Sequence, residues 1–238
     1  MKSEFEIGQL IDYTLRSTAH TKPLFKDRTD AGEQLTELIL RQDYINPVFI
    51  AVPMGGIPVA LPIRERFSER LYFSFAAKIP FSRDCDHRFG MGAVAPGMVF
   101  LNDEVVEVLK ISNGNFSPDE GIKRAQEKLG KTMEGLRDYT LPLPDLEGKT
   151  AVIIDDGLAT GYTALAAALS LRPLNPRHVV VASPVGSSES CKLLEKDGIE
   201  CVVCYLRDEP AILIDRFYSS FQKVTGIDII RLLGERLL

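Results

Sequence analysis

Residues Val152-Ile153-Ile154-Asp155-Asp156-Gly157-Leu158-Ala159-Thr160-Gly161-Tyr162-Thr163 constrain the fold more than any other stretch. An apolar, β-branched run ends on two adjacent acids. A turn rich in glycine and threonine then opens Ala164 to Leu171, a helical stretch that is apolar nearly all round. A strand without polar alternation is buried on both faces, and a helix without a polar side is covered on both sides. Strand, tight turn and covered helix make the βα half of a parallel unit. In such sheets ligands bind at the carboxyl edge, which is where this strand delivers Asp155 and Asp156.

The rest of the chain repeats the alternation. Pro47 to Val52 reads as a strand ending at Pro53-Met54-Gly55-Gly56, and Ile57 to Phe67 as a helix, with Pro58 tolerated in its first turn and Pro62 weakening it. Leu71 to Ala77 reads as a strand and Met98 to Leu101 as a short extended piece. Between them, Pro80 to Gly97 is a long loop without periodicity, of the kind that is more often functional or mobile than idle. Ser117-Pro118-Asp119-Glu120 is a helix start, with Ser117 as cap and Glu120 returning to it. That helix runs to about Arg137, with Ile122, Ala125, Leu129, Met133 and Leu136 on one face and balanced charges on the other, so its expected role is scaffold. Leu141 to Pro144 is a stiff linker. His178 to Ala182 is a strand, Ser183 to Gly186 a loop, Ser187 to Asp197 a helix closed by Gly198, and Cys201 to Tyr205 a strand. The expected class is α/β: a mostly parallel sheet with helices on both faces, as a single domain over residues 1–238.

Composition enters as a filter. Apolar residues make up 45% and charged residues 26%, as in ordinary globular proteins. With 28 Lys plus Arg against 33 Asp plus Glu, the net charge of -5 argues against a nucleic-acid partner, though not against one local anion site. Cys85, Cys191, Cys201 and Cys204 are too few and scattered for a disulfide scaffold. Cys201 and Cys204 have metal-pair spacing but lie in the apolar run Ile199 to Leu206 with no second pair, which reads as buried and structural. The acidic start Met1 to Glu6 has no apolar signal core, and no run reaches the length of a membrane span. A reduced, cytoplasmic protein is expected, with no membrane partner.

The turn after Asp156 offers consecutive backbone N–H groups and the hydroxyls of Thr160 and Thr163 at a helix N-terminus, which suits a phosphate dianion. Two adjacent carboxylates suit sugar hydroxyls or a divalent cation. Together they describe a ligand with hydroxyls and a phosphate on one small frame, such as ribose 5-phosphate. Acids at a strand end often merely cap the next helix, but here the whole set coincides on one buried strand. A Walker-type loop wants Lys where Tyr162 stands, and a dinucleotide fingerprint wants more glycines than Gly157 and Gly161. An aspartyl phosphatase wants acids two apart, and these are adjacent.

Residues 152–163 resemble the phosphoribosyl-diphosphate-binding motif of type I phosphoribosyltransferases: an apolar strand, two acids and a Thr-Gly-x-Thr turn. Nearly the whole chain, from about residue 24 to 230, is similar to a bacterial subgroup of predicted phosphoribosyltransferases of uncertain substrate. That similarity runs through Phe25-Lys26-Asp27-Arg28-Thr29-Asp30-Ala31-Gly32, Val52 to Ala60, Gly92 to Ala95, Ser183 to Ser187 and Phe217-Tyr218-Ser219-Ser220-Phe221.

The resemblance implies that Asp155 and Asp156 take the ribose hydroxyls, while Gly157, Leu158, Ala159, Thr160, Gly161, Tyr162 and Thr163 take the 5′-phosphate. It places Met54, Gly55 and Gly56 in the diphosphate loop, where Met54 replaces an Arg usual in the subgroup. Lys78, Arg83 and Arg88 are then the candidates to supply positive charge, the two arginines from a mobile loop over about 80–97. The implied reaction is displacement at the ribose anomeric carbon, with Mg²⁺ held mainly by substrate oxygens near Asp155 and Asp156. Ala159 stands where some 6-oxopurine enzymes carry Asp, which weighs against hypoxanthine or guanine. The acceptor hood is expected from the N-terminus, the 80–148 insertion and the 205–238 tail, with Phe81, Phe89, Tyr205 and Phe217 as stacking candidates. The resemblance also allows a homodimer. The other reading carried forward is a non-catalytic phosphoribosyl diphosphate or nucleotide sensor.

Overall fold

The computed structural model describes residues 22–81, 90–112, 116–209 and 212–234. Five parallel strands form the central sheet: β1 (Pro47–Ala51), β2 (Leu71–Phe73), β6 (Thr150–Ile154), β7 (His178–Ser187) and β8 (Glu200–Arg207), in the order β2-β1-β6-β7-β8. A second, antiparallel sheet holds β3 (Ala77–Ile79), β4 (Gly92–Ala95) and β5 (Met98–Leu101). The helices are α1 (Arg28–Ile39), α2 (Gly56–Phe67), α3 (Asp103–Ser112), α4 (Asp119–Gly135), α5 (Tyr162–Leu169), α6 (Ser188–Lys196) and α7 (Gly226–Gly234).

Burial sorts these elements by face. Val152 and Ile154 of β6 pack with Leu35 and Ile39 of α1, Ile57 to Ile63 of α2 and Ile229 of α7. Ala151 and Ile153 point the other way, against Ala164 to Leu169 of α5 and Leu194 of α6. The mostly parallel α/β sheet with helices on both faces is therefore borne out, and β6 has no wet side. Its chemistry can leave only at its end.

Three local readings change. The stretch Leu71 to Ala77 is two strands in two sheets, because buried Ser74 turns the chain, donating its hydroxyl to the Ala167 carbonyl at 3.0 Å while its N–H bonds Ala51. Ser183 to Gly186 is strand, since β7 keeps its ladder with β8 past Pro184, through Val185 opposite Tyr205 and Gly186 opposite Leu206. The long loop is shortened by β4, and residues 82–89 lie outside the described residues. At the start of α4, Ser117 engages Asp119, donating to its carboxylate at 2.7 Å and accepting its N–H at 3.2 Å.

Cys191 of α6 and Cys201 of β8 are joined by a disulfide, with Cα atoms 5.3 Å apart, in contrast to the reduced state expected. Cys204 is free and half-buried, and burial pushes its thiol up to about 11. Among the described residues no helix is long and apolar enough to cross a membrane.

A strap closes one end of the sheet. Leu24 and Phe25 donate their N–H groups to the Phe217 carbonyl (2.9 and 3.0 Å), while Ser219 and Ser220 donate to Phe25 and Lys26 (2.8 Å each). Phe25 is buried against Tyr218 and the edge of Tyr205, beside Phe217. Deleting a fully buried aromatic ring costs about 3–5 kcal/mol. Phe25→Ala is expected to lower unfolding free energy by about that amount in urea denaturation. A loss under about 1 kcal/mol would show that the strap does not depend on this ring.

Candidate functional site

A cavity of about 1000 Å³ opens at the carboxyl ends of β1 and β6. Its floor is the turn Val52 to Gly55 and the segment Asp155 to Gly161 with Thr163 and Ala164. One wall brings Lys78 from β3 with Lys128 and Thr132 from α4; the other brings Arg28, residues 212–216 and residues 221–224. Thus Asp155, Asp156, Met54, Gly55, Lys78 and most of the expected phosphate turn meet in one place.

Glycine is demanded where the two loops touch. A Cβ on Gly55 would stand 2.1 Å from Oδ2 of Asp156, so the 53–56 turn can approach the acids only without a side chain. The Pro53–Met54 peptide bond is cis. Gly56 does not line the cavity; its Cβ would meet the Ile154 carbonyl at 2.3 Å, so this glycine lets α2 pack onto β6. Gly161 opens α5 at φ 80°, a left-handed conformation.

The turn itself divides in two. The Leu158 N–H donates to Val185 at 2.9 Å and its carbonyl accepts from Ser187 at 3.0 Å, so its backbone belongs to the sheet and not to a ligand. Leu165 begins the intrahelical bonding by donating to Gly161 at 2.8 Å. The N–H groups ahead of it, at the α5 N-terminus, are left to face an anion. Thr160 and Thr163 face the cavity, whereas Tyr162 does not. Tyr162 lies against the α5 apolar cluster, where burial and the carboxylates of Glu104 and Asp103 push its hydroxyl pKa up. Arg83 and Arg88 lie outside the described residues.

The two acids live in different fields. Desolvation, then the neighbouring Asp156 charge, raises the Asp155 carboxyl well above the usual carboxylate range; the Asp156 N–H, Lys78 and Arg28 oppose this. Asp156 is ion-paired, with Nε of Arg28 2.7 Å from its Oδ2. The same guanidinium lies 3.7 Å from the ring centroid of Phe221 and donates from Nη1 to the Gln222 carbonyl at 2.8 Å. The Tyr218 hydroxyl donates to the Asp156 carbonyl at 2.7 Å.

Residue-by-residue reading missed Arg28, Phe221, Lys128 and Thr132 as site residues. Arg28 and Phe221 sit in motifs noticed only for their order along the chain, and α4 read as scaffold. Of the stacking candidates, Phe217 is wholly buried, Phe81 packs against the second sheet and Tyr205 stands edge-on to Phe25, and none of these three lines the cavity; Phe89 lies outside the described residues. Among the described residues no group of three or more His, Cys, Asp or Glu side chains could hold a metal ion. The chemistry of the donor set still fits Mg²⁺, which is commonly held by one or two carboxylates together with substrate phosphates.

No family model matches the chain. Proteins of two Mycobacterium tuberculosis strains, each named "Putative phosphoribosyl transferase", are 29% identical to it over 214 residues, covering 88% of this chain and 46% of theirs. The chain therefore spans about half the length of the curated relatives it matches. The crystal structure of TT1426 from Thermus thermophilus is 29% identical, with a TM-score of 0.66, covering 89% of this chain and 98% of that one. The resemblance to phosphoribosyltransferases drawn from the motifs is borne out at the level of these relatives.

A raised carboxyl pKa means that the folded state holds a proton the unfolded chain has lost. Stability therefore falls as pH rises from about 4, the ordinary aspartate value, through the folded value. Asp155→Asn removes that loss, so the variant is expected to match or exceed the wild type in thermal stability at pH 8, by about 1 kcal/mol, and to lose the advantage toward pH 4. Parallel pH profiles for the two proteins would show that the shifted carboxyl is not Asp155.

Proposed function

We propose that the chain transfers a 5-phosphoribosyl group from phosphoribosyl diphosphate to a nitrogenous acceptor, a nucleobase or similar heterocycle, releasing diphosphate with Mg²⁺ as cofactor. The observation that carries this reading is the juxtaposition, in one cavity, of the Asp155–Asp156 pair, the α5 N-terminal turn and the glycine turn at 53–55. Each matches one part of the donor. The carboxylates accept hydrogen bonds from the ribose hydroxyls. The N–H groups and hydroxyls of residues 159–163 receive the 5′-phosphate. The backbone around Gly55, held against Asp156, faces the diphosphate.

In the reaction the anomeric C–O bond breaks with its electron pair leaving on diphosphate, while the acceptor nitrogen's lone pair forms the new C–N bond. The protein contributes position and field, holding the ribose by two hydroxyls and a phosphate. Lys78, whose charge already acts on Asp155, stands on the cavity wall to offset charge as diphosphate departs. Mg²⁺, when bound, neutralises phosphate oxygens of the donor near the acidic pair. Asp156 must exchange its Arg28 partner for ribose hydroxyls, and contacts that favour a charged Asp155 carboxylate must offset its desolvation.

The sensor reading draws on Met54, which leaves the 53–55 turn without a cation. Lys78 on the facing wall supplies one from elsewhere, which supports the catalytic reading. Calorimetric titration of phosphoribosyl diphosphate with and without Mg²⁺, followed by a nucleobase panel monitored for diphosphate release, separates the two. Asp156→Asn is expected to weaken donor binding by roughly tenfold or more, as loss of charged hydrogen bonds does. Unchanged affinity would sink the hydroxyl contacts, and tight binding without release by any base would favour the sensor.

A further inference from the structure

The cavity holds more positive charge than the donor contacts use. Arg28 is neutralised by Asp156, and the charges acting on Asp155 are those of Asp156, Lys78 and Arg28. Lys128 and Lys223 belong to neither group. Lys128 and Thr132 are four residues apart, hence on one face of α4, and both line the cavity. Lys223 lines it from the opposite wall, next to Phe221 and Val224. Burial and then the Lys223 charge lower the Lys128 ammonium below the usual lysine range. No carboxylate pairs with either among the described residues, although other surface cations find one, as Lys192 does with Glu189 and Arg172 with Asp197. The acid on that wall, Asp215, is not among the groups that act on Lys128. Two like charges facing a shared cavity, in a chain whose acids outnumber its bases, repel one another until an anion lies between them.

We infer that Lys128 and Lys223, with Thr132, form an anion subsite that takes an acidic group carried by the acceptor. The inference rests on the transferase reading and narrows its second substrate to a planar nitrogen heterocycle bearing a carboxylate or phosphate. The subsite draws on different residues from the donor contacts: Lys128 and Thr132 of α4 and Lys223, whereas the donor's phosphates have the α5 turn and the 53–55 turn. The apolar side chains of Ile212, Ile214 and Val224 on the hood wall suit the ring that would carry the acid. Both lysines are solvent-accessible, so the subsite is open to salt and its selectivity falls as ionic strength rises.

The test compares matched probes, nicotinate against nicotinamide and orotate against uracil, titrated calorimetrically into the whole chain with inorganic diphosphate present. The wild type is expected to prefer the acidic member of at least one pair by roughly tenfold, and Lys128→Gln/Lys223→Gln to lose that preference. Phosphoribosyl diphosphate is titrated into the same two proteins and is expected to bind the variant within about twofold of the wild type, below the ~1.4 kcal/mol of a tenfold change. Equal binding of acidic and neutral probes by the wild type would overturn the subsite. So would a loss of donor affinity in the variant with the probe preference retained, which would assign the lysines to the donor's own phosphates. If the wild type binds no donor yet the variant still loses acid preference, the transferase reading fails and the anion subsite stands.

Discussion

A strand sealed on both faces is the constraint on which the rest depends. Every side chain of β6 is buried, taken up alternately by the α1–α2 layer and the α5–α6 layer. Polar groups on such a strand have nowhere to go except past its end, where Asp155 and Asp156 emerge. Because β1 runs parallel to β6 in register, its own end arrives at the same edge and brings the 53–55 turn within touching distance. The contact is so close that Gly55 has no room for one more carbon. The site is thus a by-product of packing: sealing the middle of the sheet forces function to its rim.

Two acids in sequence become two different groups in space. Asp156 is compensated by a guanidinium that is itself stacked on Phe221 and tied to a backbone carbonyl, while at Asp155 desolvation and the Asp156 charge outweigh the Asp156 N–H, Lys78 and Arg28. Charge at this rim is therefore unevenly distributed before any ligand arrives. A ligand rich in hydroxyls and phosphates meets one carboxylate held by a guanidinium and one whose charge is disfavoured by burial and by its neighbour.

What was legible follows contact range. The β6 turn and the start of α5 read correctly because their pattern is local: apolar run, acids, glycine turn, apolar helix. The break after Phe73 was hidden because it is made by Ser74 bonding α5, about ninety residues away. Pro184 and Gly186 look like a turn, yet parallel pairing with β8 overrides their propensity. Arg28 and Phe221 showed no chemistry of their own, since their meaning lies in each other and in Asp156. Lys128 looked like one charge among many on an amphipathic helix, and only the opposing wall gives it a cavity to face. Cys191 and Cys201 carry no spacing signature for a bond, which arises from α6 packing on β8.

The strap has a consequence for the order in which the molecule can be assembled. Phe25 pairs with Tyr218, and Arg28 reaches a carbonyl 194 residues further along the chain. A chain is synthesised from its N-terminus, so the residues of β1 to β7 are all made before the partner of the strap. Until then Arg28 lacks the Gln222 carbonyl and the Phe221 ring that hold it in the folded chain. The anchored acidic rim therefore depends on a contact between an early segment and one synthesised long after it.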